Sequence, residues 1–291
     1  MMRLLRILIA LALIGGVAGW LLSAPRPLPA STFDGLTGDA ENGALVFAAA
    51  GCRSCHVAPD DKSDGPPVLS GGYRIESPFG TFASPNISPS DAGIGGWSTA
   101  DLGNALIAGV SPDGAHYFPA LPYTTYQRME PQDVVDLKAY MDTLPPSDVA
   151  SLPHEVGFPF NIRRGLGLWK QINMSPDWVT ELSGDELQRG RYLVEALGHC
   201  AECHTPRDAT GGLDLTQWMM GAPNPSGMGT IPPLHPSKLD WSAGDIAYYL
   251  ESGFTPDYDS AGGQMVSVIR GTSALPASDR EAIAAYLKSL P

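Results

Sequence analysis

Cys52-Arg53-Ser54-Cys55-His56 and Cys200-Ala201-Glu202-Cys203-His204 are two copies of one pattern, and together they use all four cysteines of the 291-residue chain. Two cysteines three apart, followed at once by a histidine, fit one turn of helix that presents both sulfurs along one edge. That arrangement suits the addition of two thiols across the vinyl groups of a haem, with the histidine ligating the iron. Other uses of the cysteines fit less well. A redox disulfide asks for a strand ahead of the motif in a βαβ context, which is not seen. A zinc site would join the two motifs across 148 residues without further ligands. A structural disulfide leaves the histidine without a role.

The motifs sit inside a longer internal repeat. Leu36-Thr37-Gly38-Asp39 recurs as Leu182-Ser183-Gly184-Asp185, and Gly51-Cys52 is answered by His199-Cys200. Trp97-Ser98-Thr99-Ala100-Asp101-Leu102 recurs as Trp241-Ser242-Ala243-Gly244-Asp245-Ile246, and Gly109-Val110-Ser111-Pro112-Asp113 as Gly253-Phe254-Thr255-Pro256-Asp257. The offsets stay between 144 and 148, so the body of the chain is one domain plan written twice. The expected boundaries are 35–146 and 182–291, with a linker at 147–181 and an anchor or signal at 1–25.

Each copy reads as helical. Its first helix is expected to run from Asp39 or Asp185 into the Cys-x-x-Cys-His motif. Ser98 with Asp101, and Ser242 with Asp245, form capping boxes that start a second helix, with Trp97/Leu102 and Trp241/Ile246 as hydrophobic staples. The last helix starts near Pro131 in the first copy, and near Ser278 with Glu281 as box partner in the second. Gly 33 and Pro 27 are high, and almost no run alternates apolar with polar, so the remainder should be loop more than sheet. The expected fold is all-α: two tandem domains with long irregular loops, on the plan of a small c-type cytochrome.

Arg3 and Arg6 precede an uninterrupted apolar run, and Leu4–Leu22 is 19 residues, about 28 Å as helix against a hydrocarbon core of about 30 Å. Gly16-Val17-Ala18 offers a signal-peptidase site, yet cutting there strands Trp20-Leu21-Leu22 on the new terminus. An uncleaved transmembrane anchor is the better reading. The arginines then stay cytoplasmic, and the body stands on the periplasmic side of a bacterial inner membrane. The formal net charge of −13 repels nucleic acid and suits basic protein partners.

The ligand opposite each histidine decides what such an iron does, because His/Met ligation makes an electron carrier while an open position invites catalysis. Met129 closes the aromatic stretch Tyr117-Phe118-Pro119-Ala120-Leu121-Pro122-Tyr123-Thr124-Thr125-Tyr126-Gln127-Arg128-Met129, just before the last helix. Met141 lies at core spacing with Leu137 and Leu144. In the second copy Met219, Met220, Met228 and Met265 compete, and Met265 after Gly262-Gly263-Gln264 is best placed. At offset 144 Met265 aligns with Leu121, which cannot bind iron. The two ligand loops must therefore differ in length or path, or another residue such as His116 serves the first site. His116, His154, His199 and His235 otherwise read as surface or satisfied histidines.

Pro78-Phe79-Gly80-Thr81-Phe82-Ala83-Ser84-Pro85-Asn86-Ile87-Ser88-Pro89, Gly93-Ile94-Gly95-Gly96-Trp97-Ser98 and Phe158-Pro159-Phe160-Asn161-Ile162-Arg163 occur in one order with the two motifs. This set resembles the cytochrome c subunits of periplasmic alcohol and gluconate-type dehydrogenases, over nearly the whole chain beyond residue 35. The resemblance implies two class I-like cytochrome c domains with covalent haem c on Cys52/Cys55 and Cys200/Cys203. The iron ligands it implies are His56 with Met129 and His204 with Met265. Its members vary at the place of Leu121 and keep a methionine at that of Met129. Those subunits usually carry three haems and this sequence has two motifs, so a shorter di-haem relative is the nearer match. The implied activity is electron relay on the periplasmic side, from a dehydrogenase or quinol-side donor to a basic soluble cytochrome or a terminal oxidase, without bond-making by the chain itself. The alternative is a di-haem enzyme, a peroxidase or sulfur-compound dehydrogenase, with one open or exchangeable iron.

Overall fold

The computed structural model describes residues 2–61, 65–224 and 229–291. Helix α1 (Met2–Leu22) is apolar apart from Arg3 and Arg6, has no buried residue, and is long enough to cross a membrane. Behind it stand two helical halves of one plan. The first contains α2 (Ala40–Ala49), α3 (Cys52–His56), α4 (Thr99–Gly103), α5 (Tyr123–Tyr126) and α6 (Pro131–Met141). Helix α7 (Leu166–Asn173) lies in the connection. The second half contains α8 (Asp185–Tyr192), α9 (Ala201–His204), α10 (Ala243–Ser252), α11 (Met265–Thr272) and α12 (Ala277–Ser289).

In each half the first and last helices cross at a glycine. A Cβ on Gly43 would lie 2.0 Å from the Asp136 carbonyl oxygen, and one on Gly190 would lie 1.9 Å from that of Ala282. Only glycine lets the two backbones touch there. The crossings are finished differently. Phe47 packs on Tyr140 at 5.2 Å between ring centres in the first half. In the second, the Tyr286 hydroxyl donates to the buried Glu195 carboxylate at 2.7 Å.

Both expected capping boxes form, Ser98 with Asp101 and Ser242 with Asp245. The first helix, by contrast, does not run into the motif in either half. Gly51 at φ 64° and His199 at φ 39° break the chain just ahead of α3 and α9, because a left-handed residue cannot continue a right-handed helix. Helix α12 begins at Ala277 after Pro276 and has no side-chain cap. Ser278 therefore falls inside the first turn, and its expected box with Glu281 is not made. The non-helical remainder is more loop than sheet, and a small sheet forms within it. Strands β1 (Arg74–Ser77), β2 (Gly80–Ala83) and β3 (Glu155–Val156) pair antiparallel in that order, with Arg74 opposite Ala83 and Thr81 opposite Glu155. This sheet fastens the connection to the first half.

The halves are packed together. One apolar cluster runs from Val46, Phe47 and Met129 across to Tyr192, Leu193 and Leu197. The Arg128 guanidinium donates to the carbonyls of Ser175 and Asp177, at 3.1 and 2.7 Å. The Tyr192 hydroxyl accepts from Glu130 N and donates to Asp133.

Candidate functional site

Helices α3 and α9 hold the two motifs side by side. A side chain at Gly51 would meet His199 Nε2 at 3.4 Å. The His199 ring meets Tyr126 edge-on at 6.0 Å, and this packing holds a non-glycine residue in the left-handed region, where few are found. Tyr73 is near enough to Cys55 and Cys203 to feel the charge of each, so the second cysteines of the two motifs converge. The loops that carry Met129 and Met265 reach across to the opposite half. Thr124 in α5 donates to Glu202 at 2.7 Å, while Gln264 ahead of α11 donates to the Tyr73 hydroxyl.

The imidazoles are set alike. His56 Nδ1 lies 2.9 Å from the Pro85 carbonyl oxygen, and His204 Nδ1 lies 2.7 Å from that of Pro232. A carbonyl can only accept, so each Nδ1 carries the proton and each Nε2 is left with a free lone pair, the form in which imidazole binds a metal. Burial holds both rings below the usual histidine range. None of the four cysteines is joined in a disulfide, and burial pushes the unreacted Cys52 and Cys200 thiols up to about 12. Among the described residues no three His, Cys, Asp or Glu side chains gather as a zinc site would. Unpaired thiols on one helical turn, beside a histidine with a bare Nε2, fit a covalently held haem. The two proline acceptors were not singled out from the sequence. Their signal was a proline 29 residues after His56 and 28 after His204.

The repeated scaffold sorts the methionines. Gly71 N donates to His56 O and Ile87 N to Leu69 O; Gly221 N donates to His204 O and Leu234 N to Met219 O. Met219 thus occupies the place of Leu69, both are fully buried, and packing accounts for it. Met141 ends α6 inside the core with Leu137 and Leu144. Met228 lies outside the described residues.

The loops that carry Met129 and Met265 start alike and then diverge. Tyr117 N donates to Gly109 O as Ala261 N does to Gly253 O, which keeps Leu121 opposite Met265. The first loop then forms the four-residue α5 and the second the eight-residue α11. The final helices bring Met129 opposite Leu275, and both are buried. Met129 follows Tyr126, whose hydroxyl donates to Ala50 O at 2.7 Å and pins the end of the loop to the start of the first motif. Met265 opens α11, half-buried against the common core. The remaining histidines are engaged elsewhere. His116 donates to Ser23 O at the foot of α1, His154 packs between Phe82 and Phe118, and His235 bonds Ser237 and the Pro291 carbonyl.

The Cytochrome c family profile matches residues 40–145 and 187–291, once on each half. The chain belongs to the cytochrome c family. It is 58% identical over 287 residues to a diheme cytochrome c-type protein of Cereibacter sphaeroides, covering 97% of this chain and 96% of that one. It is 37% identical over 268 residues to the fructose dehydrogenase cytochrome subunit of Gluconobacter japonicus, with 86% of this chain and 52% of that subunit covered. It is 34% identical over 281 residues to the gluconate 2-dehydrogenase cytochrome c subunit of Pantoea cypripedii, with 89% and 62% covered. The chain thus spans about half to three-fifths of these two dehydrogenase subunits. As a member of the cytochrome c family with two such domains, it is a di-haem electron carrier holding two covalent haem c groups.

Proposed function

We propose that this chain is a membrane-anchored relay that passes electrons one at a time on the periplasmic side, from a dehydrogenase or quinol-side donor to a basic soluble cytochrome or a terminal oxidase. The convergence of the two motifs carries the reading: Cys55 and Cys203 approach one another beside Tyr73, so the two prosthetic groups would be neighbours. Each haem supplies a one-electron Fe(III)/Fe(II) couple. In this reading Cys52, Cys55, Cys200 and Cys203 would hold the groups covalently, and His56 with Met129 and His204 with Met265 would ligate the irons, the histidines through Nε2. Tyr126 and its neighbours keep water from the first site. The relatives' names support a dehydrogenase as the donor. The anchor is supported by the foot of α1, whose Trp20, Leu22 and Ser23 carbonyls are taken up by Arg164, Gln171 and His116. Electron transfer to a basic soluble cytochrome should slow as ionic strength rises, because exposed charges are screened over about 10 Å at 0.1 M salt. Stopped-flow rates that ignore salt would sink the electrostatic docking.

A second reading, a di-haem enzyme with an exchangeable iron, is favoured by one observation. Met129 stands opposite Leu275, a core leucine, and Met265 stands opposite Leu121. If Met129 only packs, the first iron is open, and its ferrous form binds carbon monoxide rapidly; a relay with both irons closed does not.

A further inference from the structure

The foot of α1 closes over a cavity of about 260 Å³ whose lining includes Leu22, Arg26, His116 and Lys170 and no acidic side chain. That is below the range of about 300–1,000 Å³ for a drug-sized ligand and suits a small polar group. Arg163 and Arg164 stand beside it. Arg163 donates to His116 O at 2.6 Å, and Arg164 donates to Ser23 Oγ at 3.0 Å with its guanidinium 4.2 Å from the centre of the Trp20 ring. Four cations thus collect at one spot of a chain whose formal net charge is −13.

Among the described residues, one polar group in the cavity wall is left without a partner, and a second has no counter-charge. His116 is 3% exposed, and its Nε2 donates to Ser23 O at 2.9 Å. Its buried Nδ1 has no partner among the described residues, so it presents a lone pair that needs a hydroxyl donor. Lys170 donates to the Ala108 and Gly109 carbonyls at 2.8 and 2.6 Å and lies 4.4 Å from the centre of the Tyr123 ring, with no carboxylate in the lining to match its charge. Burial, with Arg163 adding to it, pushes this amine down to about 7. An anion in the cavity would reverse that cost.

The place of the cavity says where the anion comes from. The 21 residues of α1 measure about 31 Å, the thickness of the hydrocarbon core, so Leu22 reaches the far interface when Arg3 and Arg6 hold the near one. On α7, at the same level, Leu168 and Ile172 are four apart on one face and 42% and 71% exposed. Such a face suits contact with lipid.

We propose that this cavity holds the phosphodiester headgroup of an anionic phospholipid that also carries a hydroxyl, as phosphatidylglycerol does. Arg26 and Lys170 face the phosphate, and His116 Nδ1 accepts from the hydroxyl. The proposal rests on α1 being retained, which the intact mass of the purified protein reports separately. A cleaved chain ends the anchor reading, whereas an intact chain without lipid preference ends only this one.

The test is native mass spectrometry of the full-length haem-loaded chain in zwitterionic detergent, with phosphatidylglycerol and phosphatidylcholine offered at equal concentration. The wild type should retain one phosphatidylglycerol in preference. Arg26→Gln, an exposed position, should weaken that preference about fivefold, as should Lys170→Gln, which keeps an amide for the two carbonyls. Unchanged haem absorption checks folding. Equal retention of the two lipids, a preference that neither variant moves, or displacement of the lipid by inorganic phosphate would overturn the assignment.

Discussion

The two halves share their scaffold to the level of single hydrogen bonds and part company in the loops that carry Met129 and Met265. Up to Tyr117 and Ala261 the loops superimpose in their bonding, and from Pro131 and Ala277 the last helices do so again. Between them the first half spends its residues on a prolyl and aromatic path to α5, while the second opens directly into α11. Fixed ends with a free middle would let one fold deliver the proposed methionine ligands from two different loop positions. The bonds that orient the histidine, by contrast, recur in both halves, Nδ1 facing a prolyl carbonyl in each.

The largest effects test the divergence itself. Met265→Ala should abolish methionine ligation at the second haem and lower its potential, leaving the first untouched, and Met129→Ala should do the reverse. Low-temperature electron paramagnetic resonance and a redox titration of each haem read this out. A first haem that stays low-spin with an unchanged potential in Met129→Ala removes Met129 from the ligand set. The double change Leu121→Met with Met129→Leu gives the first half the pattern of the second. If it restores a low-spin first haem, the loops are interchangeable in path; if the iron stays high-spin, the aromatic path fixes delivery from position 129.

Next come the helix crossings, where the halves should behave alike. Gly43→Ala and Gly190→Ala each drive a methyl group into a backbone carbonyl, with Cβ contacts of 2.0 and 1.9 Å in the present packing. Each should cost about 1–3 kcal/mol by overpacking. Urea midpoints of the two variants should fall together; a large difference would break the equivalence of the crossings.

Gly51→Ala is smaller. The position is left-handed, and a Cβ there costs about 1–2 kcal/mol. The second half already carries that conformation at His199, whose ring is packed against Tyr126. Alanine has no ring to make such a contact, so the cost should show in full in the urea midpoint. A neutral result would mean that α3 can tilt to relieve it.

The motifs, the repeat, the capping boxes and the start of α6 were legible in the sequence because each depends on residues close together in the chain. The break before α3 was half visible, since Gly51 is a glycine, and the break before α9 was hidden, since nothing local marks His199 as left-handed. Pro85 and Pro232 escaped because a backbone carbonyl acceptor leaves no side-chain signature. The β1–β2 hairpin escaped because Arg74–Ser77 and Gly80–Ala83 are only four residues each, too short for alternation to show. Met219 was open as a ligand until its bonding placed it opposite Leu69, which is a fact of tertiary register.

The smallest predicted effect concerns the polar finish of the second crossing. Glu195 aligns with Ala48 of the first half at the offset of Gly190 and Gly43, so its carboxylate has no counterpart there. It accepts from Tyr286 at 2.7 Å and from Val179 N at 2.7 Å. Burial raises its pKa above the ordinary 4.5 against the opposing pull of these bonds and of Arg128 and Arg191. A folded state that holds the proton more tightly than the unfolded chain is favoured most below the ordinary value. It loses that advantage as pH rises through the raised one. Glutamine resembles the protonated acid: its carbonyl can keep the Val179 bond while its NH2 turns to the Tyr286 oxygen. Glu195→Gln should therefore flatten the fall in melting temperature between pH 4.5 and neutrality. A slope that survives the substitution would show that Arg128 and Arg191 already hold Glu195 ionised in the folded chain, and that its burial carries no pH-dependent cost.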